Sequence, residues 1–159
     1  MTRTLLSRSA LVVVCSLALL VAPAASARTD GSARLQMVWP ASGTVTARFG
    51  EHRGSHRHRG IDIGMLRTLR LRAVTAGVVK RTGYAAGYAG YGKVVLLDLP
   101  GPYTALYAHL SRVAVKAGQR VRRGQRLGLA GCTGSCSGTH LHFEVKRRGV
   151  SLNPLRFLG

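Results

Sequence analysis

The sequence predicts an all-β fold, a compact antiparallel sheet and barrel-sandwich forming a single domain over residues 37–159. Three observations predict it. From Met37 onward, short apolar or alternating runs follow one another, punctuated by glycine: "GTVTARFG", "GIDIG", "AVTAGVVKRTG", "GKVVLLDL", "YTALYAHL", "QRLGLAG" and "HLHFEVKRRG". β-Branched runs at such intervals, with turn residues between them, are the pattern of a sandwich or barrel. No window of about 12 residues holds a helical period, the one candidate turn of helix being "LSRVAV". The 159 residues also fit one domain.

The stretch before the domain has a different character. Arg3 and Arg8 precede the uninterrupted apolar run "ALVVVCSLALLVA", and "APAASA" then supplies small residues. This is the order of a secretory signal peptide over residues 1–27, with cleavage after Ala27 at the Ala25-Ser26-Ala27 triplet. The run is shorter than the roughly 18 to 20 residues that span a bilayer, so no stable membrane anchor is expected. Residues 28–36, "RTDGSARLQ", are a short polar leader. The chain is expected outside the cytoplasm, as a secreted, wall-associated or periplasmic monomer.

Lys and Arg number 24 against 5 Asp and Glu; loss of the two signal-peptide arginines takes the formal charge from +19 to +17. An exported protein of this charge is drawn to anionic polymers. The arginines are scattered through "RLRAV", "QRVRRGQR" and "KRRG", which an arginine-rich codon bias explains equally well; with an export signal, few aromatics and no nucleic-acid-binding motif, a nucleic-acid partner is not expected.

Within the domain, "VKAGQRVRRGQRLG" repeats Gly-Gln across a turn, like the hairpins of biotinyl and lipoyl carrier domains. It lacks a lysine in the M-K-M or D-K-A setting that those domains modify, so the likeness concerns fold alone. Cys132 and Cys136 form an even pair at short spacing, expected as a disulfide in an oxidising compartment. The rival is a Cys2His2 zinc knot with His140 and His142, whose H-x-H spacing is unlike the usual H-x(3-5)-H.

The last strand carries the chemistry. In "GTHLHFEV" the strand period places His140, His142 and Glu144 on one face, and Leu141, Phe143 and Val145 on the other. "HRGID" sets His58 and Asp62 four apart around Gly60, and "YAHLS" puts His109 at the end of an alternating run. A catalytic zinc site needs three nitrogen or oxygen ligands and an open position. His58, Asp62 and one histidine of the pair supply them; the residues alone leave open which one. His52 and His56, in "GEHRGSHRHRG", read as exposed loop residues.

"HRGIDI", "YAHLS" and "GTHLHFEV", in that order, resemble the signature segments of the M23 (LytM/lysostaphin-type) zinc metallopeptidases. The similarity extends from "WPASGTVTARFG" through "GYGKVVLLD" and "VKAGQRVRRGQRLGLAGCTG" to "NPLRFL". The resemblance implies a duplicated-hybrid-motif-like fold and one Zn2+ per chain, held by His58, Asp62 and His142. It also implies His140 as general base and His109 as the other active-site histidine, polarising substrate or positioning water. The activity implied is a secreted zinc metalloendopeptidase cutting stem-peptide or cross-bridge bonds of bacterial cell-wall peptidoglycan, with anionic wall polymers as further partners. The alternative is a non-catalytic wall-binding or amidase-activating relative. Family members often have proline where Thr139 stands, a difference of loop stiffness.

Overall fold

The computed structural model describes residues 35–159. The expected signal peptide 1–27, its expected cleavage site and most of the expected leader lie outside them. The described chain forms β1 (Ser42–Ala47), β2 (His52–Arg53), β3 (His56–Arg57), β4 (Ile61–Thr68), β5 (Arg70–Arg72), β6 (Gly77–Tyr84), β7 (Lys93–Asp98), β8 (Tyr103–Ala108), β9 (Leu110–Val113), β10 (Arg120–Val121), β11 (Arg126–Ala130), β12 (Leu141–Arg147) and β13 (Val150–Leu152). Short 3-10 turns at Ala89–Tyr91 and Pro154–Arg156 complete it. The all-β expectation holds. "LSRVAV" is the one correction: it opens as β9, because Leu110 is buried in the core and the segment pairs with β11 instead of closing on itself. No helix of the described residues is long and apolar enough to cross a membrane.

An eight-stranded antiparallel sheet runs β1-β4-β12-β8-β7-β6-β10, with β13 beside β12, and a three-stranded sheet runs β5-β11-β9. Period-two alternation sorts the large sheet's side chains cleanly. Ile61 and Ile63 of β4, Leu141, Phe143 and Val145 of β12, Ala105 and Tyr107 of β8, and Val95 and Leu97 of β7 join one core with Leu71, Leu110 and Leu127 of the small sheet. Their strand neighbours Val94, Leu96, Leu106 and Ala108 make a second, smaller cluster on the opposite face, covered by Ala85, Tyr88 and Tyr91. His142 and Glu144 alternate with the core residues of β12 and so belong to that second face.

The Gly-Gln echo is a repeated turn. Gln119 N–H donates to the Lys116 carbonyl (3.1 Å) and Gln125 N–H to that of Arg122 (3.0 Å). Gly118 and Gly124 take φ of 81° and 78°, the left-handed third position of a type II turn. Each glutamine amide also accepts from the first residue's N–H, at 3.1 and 3.0 Å. The two turns dock alike, one on the backbone of Val79 and the other on that of Ala73.

Candidate metal centre

Asp62 and His142 are direct cross-strand partners on β4 and β12, and His142 is in turn opposite Ala108 of β8. Register thus sets the carboxylate and imidazole side by side. His58 arrives from the chain ahead of β4. The β2–β3 hairpin turns at Gly54 (φ 59°), and His58 and Glu51 close its base by a backbone hydrogen bond of 2.8 Å. Gly60 then lets the chain lie against β12: a Cβ there would stand 2.2 Å from the Phe143 carbonyl oxygen.

His58, Asp62 and His142 are all buried and offer one ligand atom each within 4.8 Å of one another. His58 Nε2 lies 3.0 Å from His142 Nδ1 and 3.2 Å from Asp62 Oδ1, and His142 Nδ1 lies 2.8 Å from the same oxygen. Donors around a tetrahedral zinc at 2.0 to 2.2 Å stand about 3.3 Å apart, close to this triangle. The outer nitrogens explain why no proton need sit inside it. His58 Nδ1 faces the Arg48 carbonyl at 2.8 Å and donates to it. His142 Nε2 faces Glu144 Oε1 at 3.1 Å and donates likewise. Neutral imidazoles so oriented both turn a bare lone pair on Asp62, and three lone pairs at one point fit a cation.

The electrostatics agree. Burial pushes the Asp62 carboxyl up, but the adjacent His142, His58 and Arg53 outweigh it and hold the group well below the carboxylate range. Burial pushes His142 down, yet Asp62 and Glu144 raise it above its ordinary value, so this point favours positive charge. Glu144 is wholly buried; burial raises it, and His142, Tyr91 and Lys146 bring it down to about 2. Its orientation of His142, rather than a solvated strand-end position, is what the structure displays.

His109 and His140 stand beside the triangle with ring centroids 4.8 Å apart. His140 precedes β12 and bridges Gly131; its Nε2 is 3.9 Å from Asp62 Oδ1, and its Nδ1 is 2.7 Å from the Gly138 carbonyl. His109 occupies the corner between β8 and β9 with φ 62°, a conformation rare outside glycine and frequent at functional sites. Its N–H donates to the Tyr91 carbonyl (2.9 Å) and its Nδ1 to that of Thr133 (2.8 Å). Burial lowers its pKa. Each histidine therefore keeps a free Nε2. Cys132 and Cys136 are bonded to each other, and His142 turns to Asp62, which removes the Cys2His2 knot.

The structure adds groups that the strand patterns did not single out. Arg53, on the hairpin, pairs with Asp62 Oδ2, and Tyr91 donates to Glu144 Oε1 at 2.6 Å. No spacing in the sequence announces Arg53; Tyr91 lies in the tyrosine-rich "YAAGYAGYG", which was the available signal. His52 and His56 are exposed as expected but stand on β2 and β3 instead of a loop, because the two short segments pair as a hairpin, and His56 joins Arg53, His58, Tyr91, His109 and His142 in lining an open cleft of about 420 Å³.

Residues 56–154 match peptidase family M23. Over 98 residues the chain is 40% identical to an uncharacterized metalloprotease of Haemophilus influenzae, covering 62% of this chain and 20% of that protein. Over 120 residues it is 37% identical to the murein hydrolase activator NlpD of Escherichia coli, covering 76% of this chain and 30% of that one. Its fold superposes on a zinc containing peptidase from Vibrio cholerae with a TM-score of 0.65 at 28% identity, over 76% of this chain and 38% of the other. The chain thus spans a third or less of these two curated relatives.

Proposed function

Since the chain belongs to peptidase family M23, we propose that it is a secreted zinc metalloendopeptidase hydrolysing peptide bonds of bacterial cell-wall peptidoglycan, with His58, Asp62 and His142 holding the metal. The observation that carries the reading is the convergence of three buried lone pairs, each fixed from behind, beside two further histidines with free Nε2 atoms. Zinc, when bound, supplies Lewis-acid polarisation of a carbonyl and brings the pKa of water towards about 7.

The chain's own groups do the rest. His140, its Nδ1 proton held by Gly138, would accept a proton from the attacking water at Nε2, on the Asp62 side, and return that same proton from Nε2 to the leaving amine. His109 is held by Thr133 and Tyr91 where it meets the substrate carbonyl as charge develops there. The cleft on the Arg53 and Tyr91 side receives the peptide.

A second reading is favoured by the 37% identity to a murein hydrolase activator: a groove that binds a wall amidase or the wall itself without cutting. One experiment separates the two. Zinc content and turbidity loss of isolated cell walls are measured for the wild type, His142→Ala and His140→Ala. The expected result is a lytic wild type with one zinc, loss of both in His142→Ala, and retained zinc with lysis reduced at least 100-fold in His140→Ala. A wild type that binds no metal and lyses no wall, but speeds an added amidase, establishes the activator. Secretion is checked by sequencing the exported protein, which should begin at Arg28.

A further inference from the structure

Away from the metal centre, Trp39 is 41% exposed and lines an open cleft with Arg67 and Arg72. It is the single tryptophan of the chain. Arg67 lies five residues beyond Asp62 on β4, about 16 Å along the strand. Arg72 of this cleft also lies on the outer face of the three-stranded sheet, whose inner face packs on the core.

Two β-bulges decide what that outer face presents. In β11 the register passes from Arg126↔Arg72 to Gly128↔Leu71 and Leu129↔Arg70, so Leu127 is the extra residue and Arg126 and Leu129 both face outward. In β9 the register Leu129↔Arg112 and Ala130↔Leu110 brings Arg112 to the same side. Arg70, Leu129 and Arg112 therefore form one cross-strand row, and Arg72 and Arg126 the next. Arg72 and Arg126 stand on adjacent strands about 5 Å apart, Arg70 and Arg112 lie about 10 Å apart with Leu129 between them, and the two rows are about 7 Å apart along the strands.

Nothing in the described chain neutralises this face. Asp62 and Glu144 serve the metal centre, Asp98 pairs with Lys80, and Glu51 accepts the Arg48 N–H. Like charges directly opposite one another, as Arg72 and Arg126 are, destabilise a sheet, and an anion laid between them relieves the repulsion.

We propose that the Trp39 cleft and the arginine face of β5, β9 and β11 bind a phosphodiester-linked glycan polymer, with a sugar ring on the indole and phosphates on the arginines. Phosphodiesters stay charged and take guanidinium groups bidentately. The indole beside Arg67 and Arg72 adds a surface for a sugar ring, which a bare polyphosphate would not use. Among the described residues no helix projects from this face to enter the groove of a duplex. The inference goes beyond the hydrolase reading and does not need it, because none of His58, Asp62 and His142 lines the cleft.

Tryptophan fluorescence reports the site directly. The wild type is titrated with glucosylated poly(glycerol phosphate), unglucosylated poly(glycerol phosphate), dextran, a 20-base-pair DNA duplex and phosphatidylglycerol vesicles, and His142→Ala is titrated in parallel. The expected result is tightest binding to the glucosylated polymer, equal in His142→Ala. Arg67→Gln/Arg72→Gln should bind at least tenfold more weakly, with the log–log salt slope reduced by about 1.5. Trp39→Phe, followed by sedimentation, should lose the preference for the glucosylated polymer and keep the salt dependence. The proposal is overturned if the arginine pair binds as wild type, if dextran binds equally, or if the duplex or vesicles bind more tightly. Loss of wall lysis with this binding intact would strike the hydrolase reading alone.

Discussion

Glu144 is wholly buried behind His142, and its charge keeps the imidazole's Nε2 proton on that side and its Nδ1 lone pair towards Asp62, where the proposed metal would be held. Glu144→Gln retains an acceptor but removes the charge and leaves Lys146, 2.9 Å from Oε2 in the wild type, without its partner. Removal of such a support typically costs 10- to 100-fold in metal affinity. Competition with a chelator should therefore show zinc held 10- to 100-fold more weakly, with little change in secondary structure; unchanged affinity would make Glu144 a packing residue. The strand period placed Glu144 on the histidine face, and the H-x(3)-D and H-x-H spacings picked out the residues that now converge. The period could not tell His140 from His142, because that distinction depends on where the strand begins: His140 stands just before β12, on the loop, while His142 is in register with Asp62. Arg53 was invisible for a related reason, since its partner is brought to it by a hairpin turn and not by sequence spacing.

At the scale of elements, the loop closed by Cys132 and Cys136 holds both free histidines from behind. Thr133 supplies the carbonyl for His109, and Gly138, two residues past the bond, supplies that for His140. The loop is clasped against the Tyr91 turn: Ser135 N–H donates to Gly90, Lys93 N–H to the Thr133 hydroxyl, and a Cβ on Gly134 would stand 2.4 Å from the Gly92 nitrogen. Cys132→Ser/Cys136→Ser is expected to keep its zinc, since none of His58, Asp62 and His142 is held by this loop, and to lose about tenfold or more in kcat on a soluble peptide with a smaller change in KM. Loss of zinc along with activity would mean that the loop supports the metal triangle instead. Gly134→Ala, which drives backbone into backbone, should act in the same direction. Strand and turn assignments from glycine punctuation were largely legible because each run fits one strand. "LSRVAV" misled because β9 is short and bulged, so its pairing with β11 breaks the strict alternation that marks a strand.

For the whole molecule, the core's polar exception sets its alkaline limit. Tyr107 is fully buried between the two sheets, packs edge-on against Phe143, and accepts the Val74 N–H at 2.9 Å. Burial pushes its phenol far above the ordinary value near 10, and Tyr91, half-buried and hydrogen-bonded to Glu144, moves the same way. In the unfolded chain both tyrosines release protons above about pH 10, while the folded chain retains them, so the unfolded state binds fewer protons and stability falls as pH rises. The contribution is fully present below pH 10 and is lost above it at about 1.4 kcal/mol per pH unit for each tyrosine. Tyr107→Phe removes one of these protons but also the acceptor for a buried N–H, which costs about 1 to 3 kcal/mol. The variant should therefore be less stable than the wild type at pH 8, and the gap should narrow from pH 10 to 11.5 because its stability declines about half as steeply. Urea unfolding at stepped pH measures both slopes. Parallel curves over that interval would show that Tyr107 ionises in the folded protein, and that the core between the sheets is open to water.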